Sequence, residues 1–243
     1  MKRRLALNNA TRYANELRKA LHLLPPLPAE YVLPHDMVIE AERHFLGSTY
    51  EEWQATQGKG TYHATDFSDI GYWLDHGRVA GELMRCLAQY LSTNPIFYAQ
   101  MGRLHDIDYV RFPHNAPDPQ ADVHPVPLAR FLSERGVPVE ASLAIMEHAG
   151  YVGKGSDFAT TLSAALSACD DLATYLAAVP REAPRYSKDL CPLAQRLATQ
   201  IRAPQVLLDT ERACPTRVLA KPELYINSAL RKAEIMAKHV PVS

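Results

Sequence analysis

The stretch RLHDIDYVRFP, residues 103–113, places one histidine and two aspartates in a segment whose neighbours follow the spacing of an amphipathic helix. Polar groups of this kind are rarely buried alone, because removing them from water costs several kcal/mol unless a charge or a metal compensates. The fold and the function of the chain therefore depend on what His105, Asp106 and Asp108 contact.

The composition is that of an ordinary globular protein. The chain has 243 residues, 47% hydrophobic and 22% charged, enough for one sizeable domain. A formal net charge of −1 argues against a nucleic-acid polymer as partner, because surfaces that bind phosphates carry a clustered basic excess. The sequence shows neither the apolar run of a signal peptide nor the roughly 20 apolar residues of a membrane span, so we expect a cytoplasmic protein with no membrane partner.

Helical spacing of apolar residues runs through most of the chain, and no segment alternates with the period of a strand. The sequence therefore predicts an all-α fold. The densest pattern covers residues 70–180, which we expect to form the core of a single domain over residues 1–243, with residues 1–69 and 181–243 as helical extensions. Asp36 is a candidate N-cap. The predicted helices cover residues 10–24, 36–55, 71–92, 94–106, 126–136, 138–150, 158–180, 187–202 and 221–240.

Several ionisable residues fall on the apolar faces of these helices. His76, for example, precedes Val79 by three residues and Leu83 by seven, so it shares their inward face. One buried histidine is commonly a hydrogen-bonded core residue, but a whole set would need many separate buried partners. The inward set comprises His76, His105, Asp106, His124, His148 and Asp170.

A divalent metal would satisfy all of these groups together. Imidazole and carboxylate are common ligands for Fe, Mn, Co, Ni, Zn and Mg, and a cation keeps buried aspartates ionised. His105 and Asp106 lie about 100° apart around a helix, so both can reach one ion. The sequence therefore predicts a buried site for a divalent metal. The four cysteines contain no CxxC pair and are expected to be structural thiols: Cys86, Cys169, Cys191 and Cys214.

The order of these residues resembles the HD-domain superfamily of metal-dependent phosphohydrolases, whose ligands follow the pattern H…HD…D on an all-α core. The segments DHGRVA, RLHDIDY and LSAALSACDDLATYL are similar to the helices that carry the ligands in that family, and the resemblance covers about residues 70–180. It implies one or two ions: a first metal held by His76, His105, Asp106 and Asp170, and a second held by Asp106, His124 and His148. The alternative is a single ion, with the additional histidines not used as ligands. Asp171 is the alternative to Asp170, on a less apolar helical face.

The resemblance implies hydrolysis of a nucleotide or another small phosphoester by water that the metal activates. The candidate catalytic residues are Asp106, which acts through the metal, and Asp108. Asp108 would bind substrate or orient a water, with a hydrogen bond at the helix end as the alternative. Three cations near the ligands in sequence are candidates for phosphate binding, with a surface position as the alternative. These cations are Arg78, Arg111 and Lys154.

HD-like oxygenases with a mixed-valent diiron pair, which act on phosphonates or polyols, share the ligand order H, HD, H, H, D. They use the iron pair to activate dioxygen, whereas hydrolysis needs no redox change. Ligand type alone does not separate the two classes. We expect the hydrolase and keep the oxygenase as the alternative, and the sequence leaves open whether the chain forms a homo-oligomer.

Overall fold

The computed structural model describes residues 2–47, 70–109, 111–112, 122–149, 152 and 158–178. Within these ranges every regular element is a helix, which confirms the all-α class. None of the helices in this part of the chain combines the length and the apolar character needed to cross a membrane. The helices are α1 (Lys2–Leu21), α2 (His35–Leu46), α3 (Ile70–Leu91), α4 (Pro95–Leu104), α5 (Val126–Glu134), α6 (Val139–His148) and α7 (Thr161–Ala178).

Some predictions fall outside the described residues. They concern the C-terminal extension at residues 181–243, Lys154, Cys191 and Cys214. The division into one core and two extensions stays a prediction. Among the other cysteines, Cys169 is a buried free thiol, but Cys86 is disulfide-bonded. The expectation of structural thiols is therefore wrong for Cys86, because widely spaced cysteines carry no sequence signal of pairing.

Local chemistry explains where α2 and α4 begin. The Asn94 side chain accepts hydrogen bonds from the backbone N–H groups of Ile96 at 3.0 Å and Phe97 at 3.2 Å, so it caps α4. The predicted cap at Asp36 is wrong, because α2 begins one residue earlier, at His35. Asp36 lies in the first turn instead, where a carboxylate is favourable beside the positive end of the helix dipole.

Helix α2 also ends earlier than predicted, at Leu46. The next residue, Gly47, has a φ of 65°, a left-handed conformation that glycine adopts without the steric cost of a Cβ. Within α2, Glu42 is fully buried and accepts hydrogen bonds from Arg103 of α4 at 2.5 and 2.9 Å. This ion pair fixes α2 against α4.

Glycines allow α3 and α4 to approach closely. A Cβ at Gly81 would lie 2.8 Å from the carbonyl oxygen of Ala99, and one at Gly102 would lie 2.8 Å from that of Ala80. Both distances are shorter than real Cβ contacts, so a larger residue would push the helices apart. The contact sets the middle of α3 against the second half of α4.

The apolar core lies between these two helices and the helices that follow. Val79, Leu83 and Leu87 are buried along one side of α3, as the spacing predicts. Each large apolar side chain buried in this way stabilises the fold by about 1.5–3 kcal/mol. Helix α7 packs against α3, α4 and α6, while α1 packs on the outside of α6. The core therefore brings the ends of α4 and α6 close to the middle of α7.

Candidate metal centre

The six predicted ligands converge on one buried cluster. The prediction that they lie on helices is right for His76 in α3, His148 at the last position of α6 and Asp170 in α7. It is wrong for His124, which lies in a turn before α5, because a residue that precedes a proline disfavours helical geometry. It is also wrong for the doublet His105–Asp106, because α4 ends at residue 104 and the chain continues in turns.

The first ligand group consists of His76, His105, Asp106 and Asp170. The Nε2 atoms of His76 and His105 are 3.1 Å apart, and they lie 3.2 and 3.3 Å from Oδ1 of Asp170. Oδ2 of Asp106 lies 3.3 and 3.4 Å from the same two nitrogens. Ligand bonds of about 2.1 Å place neighbouring donor atoms roughly 3.0 Å apart in octahedral and about 3.4 Å apart in tetrahedral geometry. The four donor atoms therefore have the spacing of ligands around one ion.

The second ligand group consists of Asp106, His124 and His148. Oδ1 of Asp106 lies 3.1 Å from Nε2 of His124 and 3.1 Å from Nε2 of His148. Asp106 therefore turns one carboxylate oxygen toward each ligand group. This is the arrangement of a carboxylate that could bridge two ions.

The other ring nitrogens show which lone pairs face the cluster. Nδ1 of His105 lies 2.7 Å from the carbonyl oxygen of Gly102, and Nδ1 of His148 lies 2.6 Å from that of Ile145. A carbonyl oxygen only accepts hydrogen bonds, so Nδ1 carries the proton in both rings. In the neutral imidazole, the Nε2 lone pair then faces carboxylate oxygens and other nitrogens, a repulsive contact unless positive charge lies between them. Histidines that ligate metals are commonly held by such a bond at the other nitrogen. The residues present therefore fit a metal ion.

The electrostatics of the histidines show that the cluster attracts positive charge. Burial lowers the pKa of His76 and His105, but contacts with Asp106 and Asp170 together outweigh burial and raise both pKa values. For His124, burial again lowers the pKa, while Asp108 and Asp106 raise it to about 9. A divalent ion would provide the same compensation without added protons.

The aspartates respond in the opposite direction. Burial raises the pKa of Asp106, but the charge and hydrogen bond of His105 hold it well below its usual range. Burial likewise raises the pKa of Asp170, and hydrogen bonds with His105 and His76 lower it further than burial raises it. His148 is the exception among the histidines, since burial lowers its pKa more than Asp106 raises it. Both carboxylates are therefore ionised, as ligands must be.

Asp108 lies behind the second ligand group. It is fully buried, and its Oδ1 accepts a hydrogen bond from Nδ1 of His124 at 2.6 Å. Its Oδ2 accepts a hydrogen bond from the backbone N–H of Leu128 in the first turn of α5, at 3.1 Å. These contacts are those of a residue that orients His124 and fixes the start of α5. The predicted catalytic role of Asp108 stays a prediction.

The structure places the predicted substrate cations differently. The exposed Arg78 forms an ion pair with Asp75 at 2.7 Å, and the exposed Arg111 donates a hydrogen bond to the carbonyl oxygen of His44 at 3.1 Å. Lys154 lies outside the described residues. Their role in phosphate binding stays a prediction. Asp170, the preferred of the two adjacent aspartates, lies in the cluster, whereas Asp171 is part of neither ligand group.

Sequence reasoning missed two aromatic residues beside the cluster. The rings of Trp73 and Tyr109 stack with a centroid distance of 4.5 Å. Trp73 also packs edge-on to His76 at 6.0 Å, and the Tyr109 ring lies 5.0 Å from that of His124. Both aromatics lie three residues from a predicted ligand, a helical spacing that could have identified them. Together they form an apolar wall beside both ligand groups.

Solvent reaches the cluster from the side of its carboxylates. The side chains of Asp106 and Asp170 are 11% and 19% exposed, whereas those of the four histidines are at most 3% exposed. The histidines therefore form the closed floor of the site, and the two aspartates lie at its opening.

The chain matches none of the protein-family models, curated proteins or solved structures with which it was compared. Its all-α fold and its buried cluster of histidines and aspartates that could hold a metal are therefore the features that indicate a function.

Proposed function

We propose that this chain is a metal-dependent phosphohydrolase of the HD-domain type, acting on a nucleotide or another small phosphoester. The supporting observation is Asp106, whose two carboxylate oxygens face two complete ligand groups. The ligands follow the order H…HD…H…H…D along the chain, which is the order of the HD-like proteins that hold two ions.

The residues of the cluster have distinct roles in this proposal. Divalent ions held there would supply Lewis acidity and lower the pKa of water, the nucleophile that attacks phosphorus. Asp106 and Asp170 supply the negative charge that retains the ions, and the buried histidines keep bulk water from the floor of the site. The opening beside the two aspartates is where a phosphoester would enter.

The alternative is an oxygenase with a diiron pair. The observation that favours it is the completeness of both ligand groups, since four histidines and two aspartates around a shared carboxylate also suit two irons. Such an enzyme would act on a small polar substrate, a phosphonate or a polyol, and would consume dioxygen.

One assay separates the two functions. The parent protein, His124→Ala and His148→Ala are incubated with nucleotides and small phosphoesters under added manganese or cobalt, with and without oxygen. We expect phosphate release that does not depend on oxygen, reduced but measurable in both variants because the first ligand group stays complete. His22→Ala, at an exposed position, is the matched control and should equal the parent. Product formation that requires oxygen, without any phosphoesterase activity in the parent, would establish the oxygenase instead.

A further inference from the structure

Glu147 is a buried carboxylate next to a ligand in sequence, and the cluster does not use it. It is 3% exposed and immediately precedes His148. Its Oε1 accepts a hydrogen bond from Nε of Arg18, in α1, at 2.6 Å. Its Oε2 accepts one from the backbone N–H of Ala159, just before α7, at 2.9 Å. Glu147 therefore connects the last turn of α6 to two other parts of the fold.

The last turn of α6 is the part of that helix that most needs such support. His148 is its final residue, and the chain has already left helical geometry at Ala149. The last carbonyl groups of a helix lack partners within the helix, so this turn frays most easily. Ser167 of α7 donates a hydrogen bond to the carbonyl oxygen of His148 at 3.0 Å, and Glu147 holds the same turn from the side of α1.

We infer that α1 supports the second ligand group: Arg18, through Glu147, is a positioning residue for His148. The inference rests on the proposed metal site. It assigns a role to the N-terminal helix, for which the sequence gives none. Apart from the shared Asp106, the first ligand group takes its residues from α3, from α7 and from the turn after α4, so Arg18 should influence the second group alone.

The physical reason is the charge of Glu147. A buried carboxylate that loses its cation is unfavourable, and it relaxes by moving toward water. Because Glu147 and His148 are adjacent, that movement displaces the imidazole from Asp106, whose Oδ1 lies 3.1 Å from it. By linkage, an ion that binds the second ligand group should in turn stabilise the packing of α1.

The test is Arg18→Met, measured by titration calorimetry with manganese or cobalt on the full chain. We expect the weaker of two binding events to lose about tenfold in affinity, the lower end of the usual effect of an outer residue on a metal site, while the other is unchanged. Arg18→Lys, which keeps the cation, should recover most of the affinity. In hydrogen exchange, added metal should protect the amides of α1 in the parent and much less in Arg18→Met.

Arg135→Met is the matched control. Arg135 is as exposed as Arg18, 31% against 29%, and also joins an N-terminal helix to the core, but its partner Glu40 is an exposed residue remote in sequence from any ligand. Arg135→Met should leave both metal-binding events unchanged. Two unaltered binding events in Arg18→Met, or an equal weakening of both, would overturn the inference while leaving the metal site intact. A parent that binds no metal would overturn the proposed function and this inference together.

Discussion

The first and second ligand groups share Asp106 but are held by different kinds of contact. His76 and Asp170 of the first group lie within long helices, and glycines set the distance between α3 and α4. In the second group, His124 lies in the turn before α5, where Asp108 orients it, and His148 is the last residue of the short helix α6. Helix packing thus sets the positions of His76 and Asp170, whereas a buried carboxylate, Asp108, orients His124, and we infer that Glu147 does the same for His148. The second group should therefore be the easier one to weaken without unfolding the chain.

The largest effect should come from the residue that both groups share. Asp106→Ala removes one ligand from each group and the negative charge between them, so metal content should fall close to zero while the protein stays folded. Elemental analysis after loading with manganese measures the metal content, and circular dichroism shows whether the protein stays folded. Asp36→Ala, at an exposed carboxylate, is the control and should keep the parent's metal content. Full metal content in Asp106→Ala would show that the ligand assignment is wrong.

A second variant should separate the two groups. Asp108→Asn keeps the shape of the side chain but weakens the acceptor that orients His124. The affinity of the second group should fall about 10- to 100-fold, with the first group unchanged. Titration calorimetry with cobalt measures metal binding to the two ligand groups as separate events. Equal loss from both events would mean that Asp108 supports the whole fold and not His124 in particular.

Gly81→Ala should affect the first group through the backbone. Its Cβ would meet the carbonyl oxygen of Ala99 at 2.8 Å, so α3 and α4 must separate, at a cost of about 1–3 kcal/mol in the free energy of unfolding. The first group should lose more affinity than the second. Gly136→Ala is a useful comparison, because its φ of 72° makes alanine unfavourable but no atom lies within 4 Å of the new Cβ. It should lower stability while preserving the affinity of the first group.

The smallest effect is expected at the opposite end of α4 from His105. Asn94→Ala removes the acceptor for two backbone N–H groups and should cost about 1 kcal/mol in the free energy of unfolding. Metal affinity should not change, and Asn94→Asp, which keeps the acceptor but loses the hydrogen bond that Nδ2 donates to the carbonyl oxygen of Tyr31 at 3.1 Å, should recover only part of the stability. Thermal unfolding measures the change in stability, and titration calorimetry measures the metal affinity. A clear loss of metal affinity in Asn94→Ala would show that the site depends on the whole of α4.

Helical spacing was enough to predict two residues of the first group. His76 and Asp170 lie inside long helices, where a position three or four residues from apolar neighbours defines the buried face. The same reasoning placed His124 on a helix, although it lies in a turn. Its burial was nevertheless predicted, because the turn leads directly into the buried face of α5.

The residues that support the ligands were harder to predict. Arg18 and Glu147 are 129 positions apart, as Glu42 and Arg103 are 61 apart, and no local pattern indicates which cation a buried carboxylate will meet. The burial of Glu147 did leave a signal, since Glu147 follows Leu143 by four residues on an apolar face. The close approach of α3 and α4 had no such signal beyond the glycines themselves.

The metal content of the purified parent protein tests the central claim most directly. Measured by element and stoichiometry after loading with manganese, cobalt or iron, it should be two ions per chain. Asp170→Ala, which impairs only the first group, and His124→Ala, which impairs only the second, should each reduce the content to about one ion per chain. A folded parent that retains no metal under any of these conditions would contradict the account.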